Sequence, residues 1–398
     1  MSFTDIGVTD AFAKRLEARG ITTPSDVQKD VIPTILEGRD IVFRSATGTG
    51  KTLAYLLPLL SRIIGEAEVS PSPGGPAIVV LAPSFELCAQ IRNEADSVLP
   101  PNADGKKPSV LLTGDANTAR QIERLKKTKP VLVVGTAGRF IQLTRMGKLK
   151  LRGLQALVLD EADRLHAEEL DTITRDFLAL LPRERQTIAC SATITARTRQ
   201  HLSSHMKSDA RQCDLDDAEV LRGKIEHWAF FAEQRRKVGL LRSFINAVKP
   251  ERLLVFTDRG AQVGNIVGQL VHHGVAAGGL FGKMDKKDRQ AALTAFRNGK
   301  KPVLVTSDLA ARGLDVPELD YIVELDIPQT ADAYAHRAGR TARAGRSGVM
   351  ASFGDEHELP QLAAIEKKLG IVVQPRELYK GEVLAPLPPD ADATEVRE

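Results

Sequence analysis

Residues 157–163 read LVLDEAD, an apolar run that ends abruptly in three carboxylates. Unalternating apolar runs are typical of strands that are covered on both faces of a parallel sheet. Carboxylates at the carboxyl end of such a strand are what a nucleoside triphosphate and its magnesium ion need. By itself, the same acidic cluster also fits a helix start, where negative charge near the helix dipole is favourable.

A second element lies upstream, at residues 45–52, and reads SATGTGKT. It follows a short apolar run at 41–43 and precedes an apolar helix start at 53–57, which is the strand–loop–helix context of a phosphate-binding loop. Its glycines would let backbone N–H groups close around phosphate oxygens at a helix N-terminus. Lys51 would reach the β- and γ-phosphates, and the Thr52 hydroxyl would ligate magnesium. The predicted nucleotide-binding residues of this loop are Ser45, Ala46, Thr47, Gly48, Thr49, Gly50, Lys51 and Thr52.

A third element, at residues 336–343, reads HRAGRTAR and carries three arginines spaced three apart. Arginines delivered from elsewhere in the chain suit the charge that develops on a transferred phosphoryl group. An arginine-rich stretch by itself is more typical of a solvated face. Because the three elements occur in one chain, the sequence predicts hydrolysis of a nucleoside triphosphate.

The composition predicts a soluble cytoplasmic enzyme. A chain of 398 residues is expected to form two domains of about 150–200 residues each. No apolar run approaches the ~18 residues of a membrane span, and the N-terminal sequence lacks a signal peptide's basic and apolar regions. The cysteines, Cys88, Cys190 and Cys213, have no metal-like spacing and are expected to be reduced core thiols. The net charge is +4, and because residues 381–398 are acidic, the rest of the chain is basic enough to suit a polyanionic partner.

Strand-like runs alternate with helical periodicity in two successive series. This pattern predicts two α/β domains, each a mostly parallel sheet with helices on both faces. The runs lie at 41–43, 77–82, 110–112, 131–134, 156–159 and 187–190, and then at 227–231, 253–256, 303–306, 321–324 and 349–353. The predicted boundaries are 1–213 and 225–380 for the two domains, 214–224 for a polar linker, and 381–398 for an acidic, Pro-rich and disordered tail.

Over residues 3–370 the sequence closely resembles the DEAD-box family of ATP-dependent RNA helicases, whose motifs occur here in order. Besides the three elements above, the resemblance rests on Phe3 with 20–28 (GITTPSDVQ), 83–87 (PSFEL), 113–114 (TG), 135–139 (GTAGR), 191–193 (SAT), 254–257 (LVFT) and 307–315 (SDLAARGLD). It implies two tandem RecA-like domains, with the phosphate loop and carboxylates in the first and the arginines in the second. Hydrolysis would then require the two halves to close around ATP, with RNA lying across both.

The resemblance also implies a role for each matching residue. Asp160 would hold magnesium, mostly through water, and Glu161 would orient and deprotonate the attacking water. Arg340 and Arg343 would act as arginine fingers, and Asp308 would contact the ribose. The implied catalytic set is Glu161, Asp160, Lys51, Arg340 and Arg343, the metal ligands are Thr52 and Asp160, and the nucleotide site is completed by Ile21 and by Gln28, which would read the adenine edge.

Two further sets follow from the same resemblance. Residues matching those that link domain closure to RNA are Asp163, Ser191, Thr193 and His336, for which a buried structural salt-bridge network is the alternative. The implied RNA-binding residues are Pro83, Gly114, Thr136, Gly138, Arg139, Thr257, Arg289 and Ser307. Because family members grip the phosphodiester backbone and 2′-hydroxyls, RNA selection should be mostly independent of sequence.

Several positions depart from the family's pattern, and most of them lie on the implied RNA face. Ile21 stands where an aromatic residue usually stacks on adenine. The other departures are Phe85 for an arginine, Ala137 for a proline, Thr113 for a glycine, Lys286 for a glutamine and Ala342 for a glycine. We therefore expect intact ATP chemistry and an atypical RNA groove.

Three functions are compatible with the sequence. The first is an ATP-dependent RNA helicase that separates short duplexes locally. The second is an ATP-gated RNA clamp or scaffold, and the third is an ATPase whose polymer is DNA or a protein-bound site. We expect a monomer that uses ATP and Mg²⁺, that binds RNA single strands and short duplexes but no membrane, and that meets any protein partner through its surface or acidic tail.

Overall fold

The computed structural model describes residues 1–45, 49–65, 74–102, 105, 107–214, 218–282, 284–308, 319–342 and 347–386. The chain divides into two compact units, Met1–Asp216 and Asp217–Glu398. This division falls inside the stretch 214–224 that the sequence predicts as a linker. Four residues predicted to contact ATP lie outside the described residues, namely Ala46, Thr47, Gly48 and Arg343.

The first unit is a parallel sheet with flanking helices. Its strands are β1 (Ile41–Arg44), β2 (Ile78–Leu81), β3 (Ser109–Leu112), β4 (Leu132–Gly135), β5 (Ala156–Asp160), β6 (Gln186–Ser191) and β7 (Arg211–Asp214). Its helices are α1 (Asp10–Glu17), α2 (Asp26–Leu36), α3 (Lys51–Ile63), α4 (Phe85–Val98), α5 (Thr118–Thr128), α6 (Ala137–Arg145), α7 (Ala162–Leu165), α8 (Asp171–Leu178) and α9 (Ala196–Ser203). The strand order is β3-β4-β2-β5-β6-β1-β7, and each neighbouring pair is parallel.

Both faces of this sheet are buried, as β2 illustrates. Ile78 and Val80 belong to one hydrophobic cluster, and Val79 and Leu81 belong to the other. Successive side chains of a strand point to opposite faces, so a strand between two helical layers needs an apolar residue at every position. Each such side chain stabilises the unit by about 1.5–3 kcal/mol on burial. Burial of both faces of the sheet therefore explains the unalternating apolar runs in the sequence.

The second unit repeats the architecture. Its strands are β8 (Ile225–Phe231), β9 (Leu253–Phe256), β10 (Ala277–Leu280), β11 (Val303–Thr306), β12 (Tyr321–Glu324), β13 (Gly348–Gly354), β14 (Val373–Pro375), β15 (Glu377–Tyr379) and β16 (Glu382–Leu384). Its helices are α10 (Ala218–Gly223), α11 (Lys237–Val248), α12 (Val263–His272), α13 (Lys286–Arg297), α14 (Ala331–Ala338) and α15 (Glu358–Leu369). The parallel sheet has the order β10-β11-β9-β12-β13-β8-β14, while β15 and β16 form a separate antiparallel pair.

The predicted fold class, two α/β domains with parallel sheets, is confirmed. The strands that the sequence did not predict include β7, β10 and β14, each of which lies at the edge of its sheet. β7 has the polar sequence RQCD and β10 has the glycine-rich sequence AGGL. An edge strand has only one paired neighbour and less surface to bury, so it does not need the continuous apolar run that marks a central strand.

The linker and the tail also begin or end at different residues from those predicted from the sequence. Asp214 ends β7, and the helix α10 occupies much of the predicted linker, with Leu221 buried in a core cluster of the second unit. The predicted tail begins too early, because Val383 in β16 packs against another core cluster of that unit. Residues 387–398 of the tail lie outside the described residues.

The cysteines are free and buried, as predicted. Burial raises the pKa of the Cys88 and Cys190 thiols well above the usual value, and it raises the pKa of Cys213 to about 12. These thiols are therefore protonated at neutral pH. Across the described ranges, the helices are all too short or too polar to cross a lipid bilayer.

Candidate functional site

The described polar residues of the first unit that are predicted to bind ATP converge at the carboxyl-terminal end of its parallel strands. Strands β5, β6 and β1 are neighbours, with Asp160 aligned to Cys190 and Arg44 aligned to Ser191. Because the strands are parallel, their carboxyl ends lie together at this edge. The structure thus brings the phosphate loop after β1 beside the carboxylates after β5 and the serine that ends β6.

The described part of the phosphate loop is held by its own side chains. The Lys51 ammonium donates to the carbonyl oxygen of Ser45 at 2.7 Å, and the hydroxyls of Ser45 and Thr49 are 2.6 Å apart. Gly50 precedes α3 with φ +93°, a left-handed conformation that favours glycine. Helix α3 therefore begins at Lys51 and directs its N-terminal N–H groups to the place where phosphate oxygens would lie.

Gln28 and Ser25 tie helix α2 to this loop. Gln28 Nε2 donates to the carbonyl oxygen of Gly50 at 3.1 Å, and Ser25 Oγ donates to that of Thr49 at 2.7 Å. A Cβ on Gly50 would lie 2.5 Å from Gln28 Nε2, which is a second reason for glycine there. Ile21, predicted to lie at the adenine, is partly buried against the neighbouring core cluster. The predicted adenine side and phosphate side of the site are therefore adjacent.

Asp160 is a buried carboxylate with three donors. Tyr55 Oη donates to its Oδ2 at 2.8 Å, while the backbone N–H of Glu161 and the thiol of Cys190 donate to Oδ1 at 2.9 and 3.3 Å. Burial raises the pKa of Tyr55 and of Cys190 well above the usual values, so both remain proton donors. Thr52 lies three residues before Tyr55 in α3, so the two predicted magnesium ligands, Thr52 and Asp160, both lie near the Tyr55 side chain. A hydroxyl and a carboxylate are hard oxygen ligands, so this pair fits magnesium.

Glu161 occupies a sharp turn between β5 and α7. Its backbone lies in the left-handed region, with φ +52° and ψ +53°, which is costly for a residue with a Cβ. The carboxylate accepts a bond from Arg164 Nη1 at 3.0 Å, and the side chain is mostly buried. The turn reverses the chain directly after Asp160, so consecutive carboxylates face different surroundings.

Asp163 connects the acidic segment to the end of β6. Its Oδ1 accepts a hydrogen bond from Ser191 Oγ, and its Oδ2 accepts one from Thr193 Oγ1 at 2.5 Å. Three of the four predicted coupling residues are thus in direct contact. The fourth, His336, lies on α14 in the second unit. These hydrogen bonds join a carboxylate to two hydroxyls, and the coupling role of the four residues stays a prediction.

The carboxyl ends of the other strands of this sheet carry the predicted RNA-binding residues of the first unit. Strands β3, β4 and β2 are neighbours, and Leu112 and Leu81 both align with Gly135. Of the residues that follow these strand ends, Gly114 and Gly138 are exposed, whereas Pro83 and Thr136 are half-buried. The predicted ATP-binding and RNA-binding residues of the first unit therefore lie at the carboxyl ends of the strands of one sheet, in two adjacent groups.

Arg139, also predicted to bind RNA, makes its hydrogen bonds to other residues of the protein. It is buried, and its guanidinium donates to the carbonyl oxygens of Gly114 and Ala116 at 2.9 and 3.0 Å and to Thr118 Oγ1 at 2.5 Å. Its observed contacts position the loop between β3 and α5. Arg139 thereby holds Gly114 in place at the exposed edge.

In the second unit, Arg337 on α14 is the centre of a buried ionic network. Its guanidinium donates to both carboxylate oxygens of Asp308 at 2.9 and 2.6 Å, to Glu324 Oε2 at 3.2 Å and to Asp258. Burial lowers the pKa of Arg337 but the three carboxylates raise it, and on balance the pKa lies above its usual value. Asp308, the predicted ribose contact, is therefore oriented from both of its oxygens.

The remaining predicted residues of the second unit differ in how far they are buried. Thr257 and Ser307 are buried, and Thr257 Oγ1 donates to Asp326 Oδ2 at 2.7 Å. Arg289 on α13 and Arg340 after α14 are both partly buried. Ala342, which stands where a glycine is usual in the resembled family, has φ +54°. A left-handed backbone explains the usual glycine and costs about 1–2 kcal/mol for alanine.

Several residues of the site were not predicted from the sequence. Tyr55 lies in an apolar helix start, Cys190 is predicted only as a core thiol, and Arg337 has no predicted role within its arginine-rich segment. Glu324 offered a signal, because it is a carboxylate at the carboxyl end of a buried strand, as Asp160 is. That pattern alone does not reveal which cation the carboxylate meets.

Comparison with known proteins agrees with the geometry. The chain matches the family model of DEAD/DEAH box helicases at residues 25–202 and the helicase conserved C-terminal domain at 236–345. It is 34% identical over 372 residues to the DEAD-box ATP-dependent RNA helicase CshC of Bacillus cereus, which covers 94% of this chain and 92% of the relative. It is 35% identical to the DEAD-box ATP-dependent RNA helicase 47B of Oryza sativa, over 96% of this chain and 76% of the relative. A solved structure, S. cerevisiae Dbp5 bound to RNA and ADP BeF3, matches with a TM-score of 0.81 and 27% identity, over 94% of this chain and 95% of that one.

Phe85 allows a test of the atypical RNA face. It is the first residue of α4 and is half-buried, so part of its side chain reaches solvent. Phe85→Arg should therefore be tolerated and should tighten binding to RNA of any sequence. The salt slope of log affinity should steepen by about one unit, because one more phosphate is neutralised. The measurements are RNA affinity at several salt concentrations and the melting temperature.

The matched control is Phe231→Arg, since Phe231 is 63% exposed at the end of β8. This variant carries the same change in charge at a position with no predicted RNA contact, and its salt slope should change less. A lowered melting temperature with an unchanged salt slope in Phe85→Arg would show that Phe85 is a packing residue.

Glu324 predicts a pH dependence of stability in the second unit. Burial raises its pKa from 4.5 to about 7, although Arg337 and Ser352 act against the rise. Between these pH values the folded chain binds a proton that the unfolded chain has lost, so stability falls as pH rises. The free energy of unfolding, relative to Glu324→Gln, should decrease across this window and level off above it. Denaturant unfolding followed by the fluorescence of Trp228, the single tryptophan, would measure it.

Glu356→Gln is the control, because the Glu356 side chain is 79% exposed. It should leave the pH profile of the parent unchanged. A difference between parent and Glu324→Gln that is constant from pH 4.5 to 7 would mean that Glu324 stays ionised beside Arg337.

Proposed function

This chain belongs to the DEAD-box family of ATP-dependent RNA helicases, and we propose that it separates short RNA duplexes through ATP-driven closure of its two units. One observation in the first unit carries the proposal. A single edge of a parallel sheet presents the phosphate loop and Asp160 beside the loops that follow β2, β3 and β4. ATP chemistry and RNA contact thus rest on the same rigid support, through which one can influence the other.

The chemical step would use residues of this edge. Lys51 would neutralise the β- and γ-phosphates, and Glu161 would orient the attacking water and accept its proton. Tyr55 and Cys190 would keep the Asp160 carboxylate in one orientation through the bonds described above. Magnesium, when bound by Thr52 and Asp160, would add positive charge at the phosphate oxygens.

The second unit would complete the catalytic site. Arg340 and Arg343 would stabilise the negative charge that develops on the transferred phosphoryl group. Lys51, Asp160 and Glu161 belong to the first unit, so efficient turnover would require both units to meet the same nucleotide. The buried network of Arg337 would hold Asp308 and the start of the arginine segment in a fixed relation.

RNA would be gripped through its backbone at the loops after β2, β3 and β4 and at the corresponding edge of the second unit. Such contacts are independent of base sequence and depend on salt. The bonds from Ser191 and Thr193 to Asp163 would link the carboxylate segment to the end of β6. A movement of the carboxylate segment would therefore displace the end of β6, and the reverse would also hold. A cytoplasmic location, a monomeric state and a protein partner stay predictions.

The helicase proposal makes a prediction about the chemical step. Parent ATPase activity should be stimulated by single-stranded RNA, and ATP should drive separation of a short RNA duplex. Glu161→Gln should bind ATP yet hydrolyse it at less than about a tenth of the parent rate, because an amide retains an acceptor oxygen but cannot take a proton. The same variant should retain RNA longest when ATP is present. ATPase, RNA-binding and duplex-separation assays measure these outcomes.

Glu168→Gln is the matched control, since Glu168 is exposed and the change in charge is the same. It should hydrolyse ATP like the parent. Turnover by Glu161→Gln above a tenth of the parent rate would remove Glu161 as the base. Equal stimulation by DNA, or RNA retention without duplex separation by the parent, would contradict the helicase proposal itself.

The contribution of the second unit is tested separately. Arg340→Ala should lower turnover about a thousandfold or more while ATP affinity falls much less, because the arginine acts on the transition state. Arg235→Ala removes an arginine that is 77% exposed and should leave turnover unchanged. Equal losses in ATP affinity and turnover for Arg340→Ala would indicate ground-state binding instead of catalysis.

A further inference from the structure

Three side chains of the first unit form a cluster that the ATP and RNA chemistry does not use. They are His166, which directly follows α7, Asp171, which begins α8, and His201 on α9. Metal-binding side chains in proteins are mainly histidine, cysteine, aspartate and glutamate. Among the described residues of these types, His166, Asp171 and His201 have ligand atoms close enough to share one metal ion. His166 and Asp171 are buried, and His201 is partly buried.

The geometry of the cluster is compact. His166 Nδ1 and His201 Nδ1 lie 3.0 and 2.8 Å from the same oxygen, Asp171 Oδ1. One ligand atom from each residue lies within 4.8 Å of the other two. Zinc–ligand bonds of about 2.0–2.2 Å place tetrahedral ligands about 3.4 Å apart. An outward movement of about half an ångström by each imidazole would therefore give both nitrogens this spacing from the Asp171 oxygen.

Hydrogen bonding alone does not satisfy this cluster. The contact from His166 Nδ1 to Asp171 has hydrogen-bond geometry. Within the described part of the chain, however, the buried atoms His201 Nδ1 and His166 Nε2 have no hydrogen-bond partner. Buried polar atoms are nearly always paired, and an unpaired one costs about 1–3 kcal/mol. The His201 nitrogen approaches a carboxylate oxygen closely without the alignment of a bond, as expected for two ligands of one ion.

We propose that His166, Asp171 and His201 form a binding site for a divalent transition-metal ion, with Zn²⁺ the best fit. Two imidazoles and one carboxylate are a common set of zinc ligands, and a fourth position would be open to water. The oxygen-loving ions Mg²⁺ and Ca²⁺ are disfavoured, because two of the three ligands are nitrogens. The site is distinct from the magnesium site proposed at Thr52 and Asp160.

The charge states of His166 and Asp171 suit a metal ligand. Burial lowers the pKa of His166 below its usual value, despite the opposing effect of Asp171, so the ring is neutral at neutral pH. Burial raises the pKa of Asp171, but the bond from His166 and the neighbouring positive charges lower it on balance. Neutral imidazole and ionised carboxylate are the forms that bind metal.

Two arginines act on the other oxygen of Asp171. Arg175 and Arg197 lie 3.2 and 4.0 Å from Oδ2 and leave Oδ1 to the histidines. Their positive charge opposes a cation, but their side chains are 55% and 58% exposed, so solvent screens much of the repulsion. They also fix the carboxylate plane, as outer partners of metal ligands commonly do.

The position of the cluster gives the ion a structural consequence. His166 lies three residues after Asp163, and His201 lies on the helix that follows Thr193. Asp163 and Thr193 are themselves joined by a hydrogen bond. A bound ion would therefore connect the segment after Asp163 with the segment after Thr193. It would also stabilise the folded first unit, because the three ligands come together only in the folded chain.

The experiment uses the full-length chain after treatment with a chelator, without nucleotide or RNA. Titration with Zn²⁺ should show saturable binding of one ion per chain and a rise in melting temperature. Titration with Co²⁺ should give the visible absorption of a site with nitrogen and oxygen ligands. His201→Gln should weaken Zn²⁺ binding about 100-fold or more, because the loss of a direct ligand costs at least as much as the loss of an outer partner. Far-ultraviolet circular dichroism would verify that the variant is folded.

His357→Gln is the matched control, since His357 is an 86% exposed histidine of the second unit. It should bind Zn²⁺ and Co²⁺ like the parent. The proposal is overturned if the parent shows no saturable Zn²⁺ binding, or if His201→Gln and the parent bind alike. Because Zn²⁺ binding and the Co²⁺ spectrum are also recorded on the parent, these two readouts do not depend on the folding of any variant. ATPase activity enters none of these readouts, so the outcome is independent of the proposed helicase function.

Discussion

Parallel pairing of β5, β6 and β1 is the constraint on which the chemistry of the first unit depends. It aligns Asp160 with Cys190 and Arg44 with Ser191, so that three separate segments end at one edge. The sheet is buried on both faces, and its polar groups can gather only where the strands stop. Asp160 is itself buried and is satisfied by Tyr55, Cys190 and the backbone of Glu161. The carboxylate is thus oriented by packing as much as by hydrogen bonds.

Arg337 has the equivalent place in the second unit. It meets carboxylates from the ends of three strands or the loops that follow them, namely Asp258, Asp308 and Glu324. Removing one member of a buried ionic group usually costs about 3–5 kcal/mol, because the remaining charge is left unpaired. The network therefore holds β9, β11 and β12 in register at their carboxyl ends. One unit orients a carboxylate with neutral donors, whereas the other balances several carboxylates with one cation.

The sequence predicted the two parallel sheets, and it identified the candidate ATP-binding positions, because both depend on local patterns. An unalternating run such as the one ending at Asp160 indicates a central strand, and Gly50 with Lys51 marks a loop before a helix. Edge strands such as β7 and β10 were missed, because a strand at the edge needs no continuous apolar run. The exposed loops after β3 and β4 were located, but the burial of Arg139 was not, since a motif does not say which way a guanidinium points.

The sequence by itself determined the kind of fold, the family and the candidate residues for phosphate chemistry. These properties follow from short-range spacing, which local sterics and strand or helix periodicity translate directly into structure. Only the tertiary structure decided which charges meet. Tyr55 reaches Asp160 and Arg337 reaches Asp308 across long stretches of chain, and His166, Asp171 and His201 converge from three helical segments. Such contacts depend on the packing of whole elements, and no spacing within the sequence encodes them one by one.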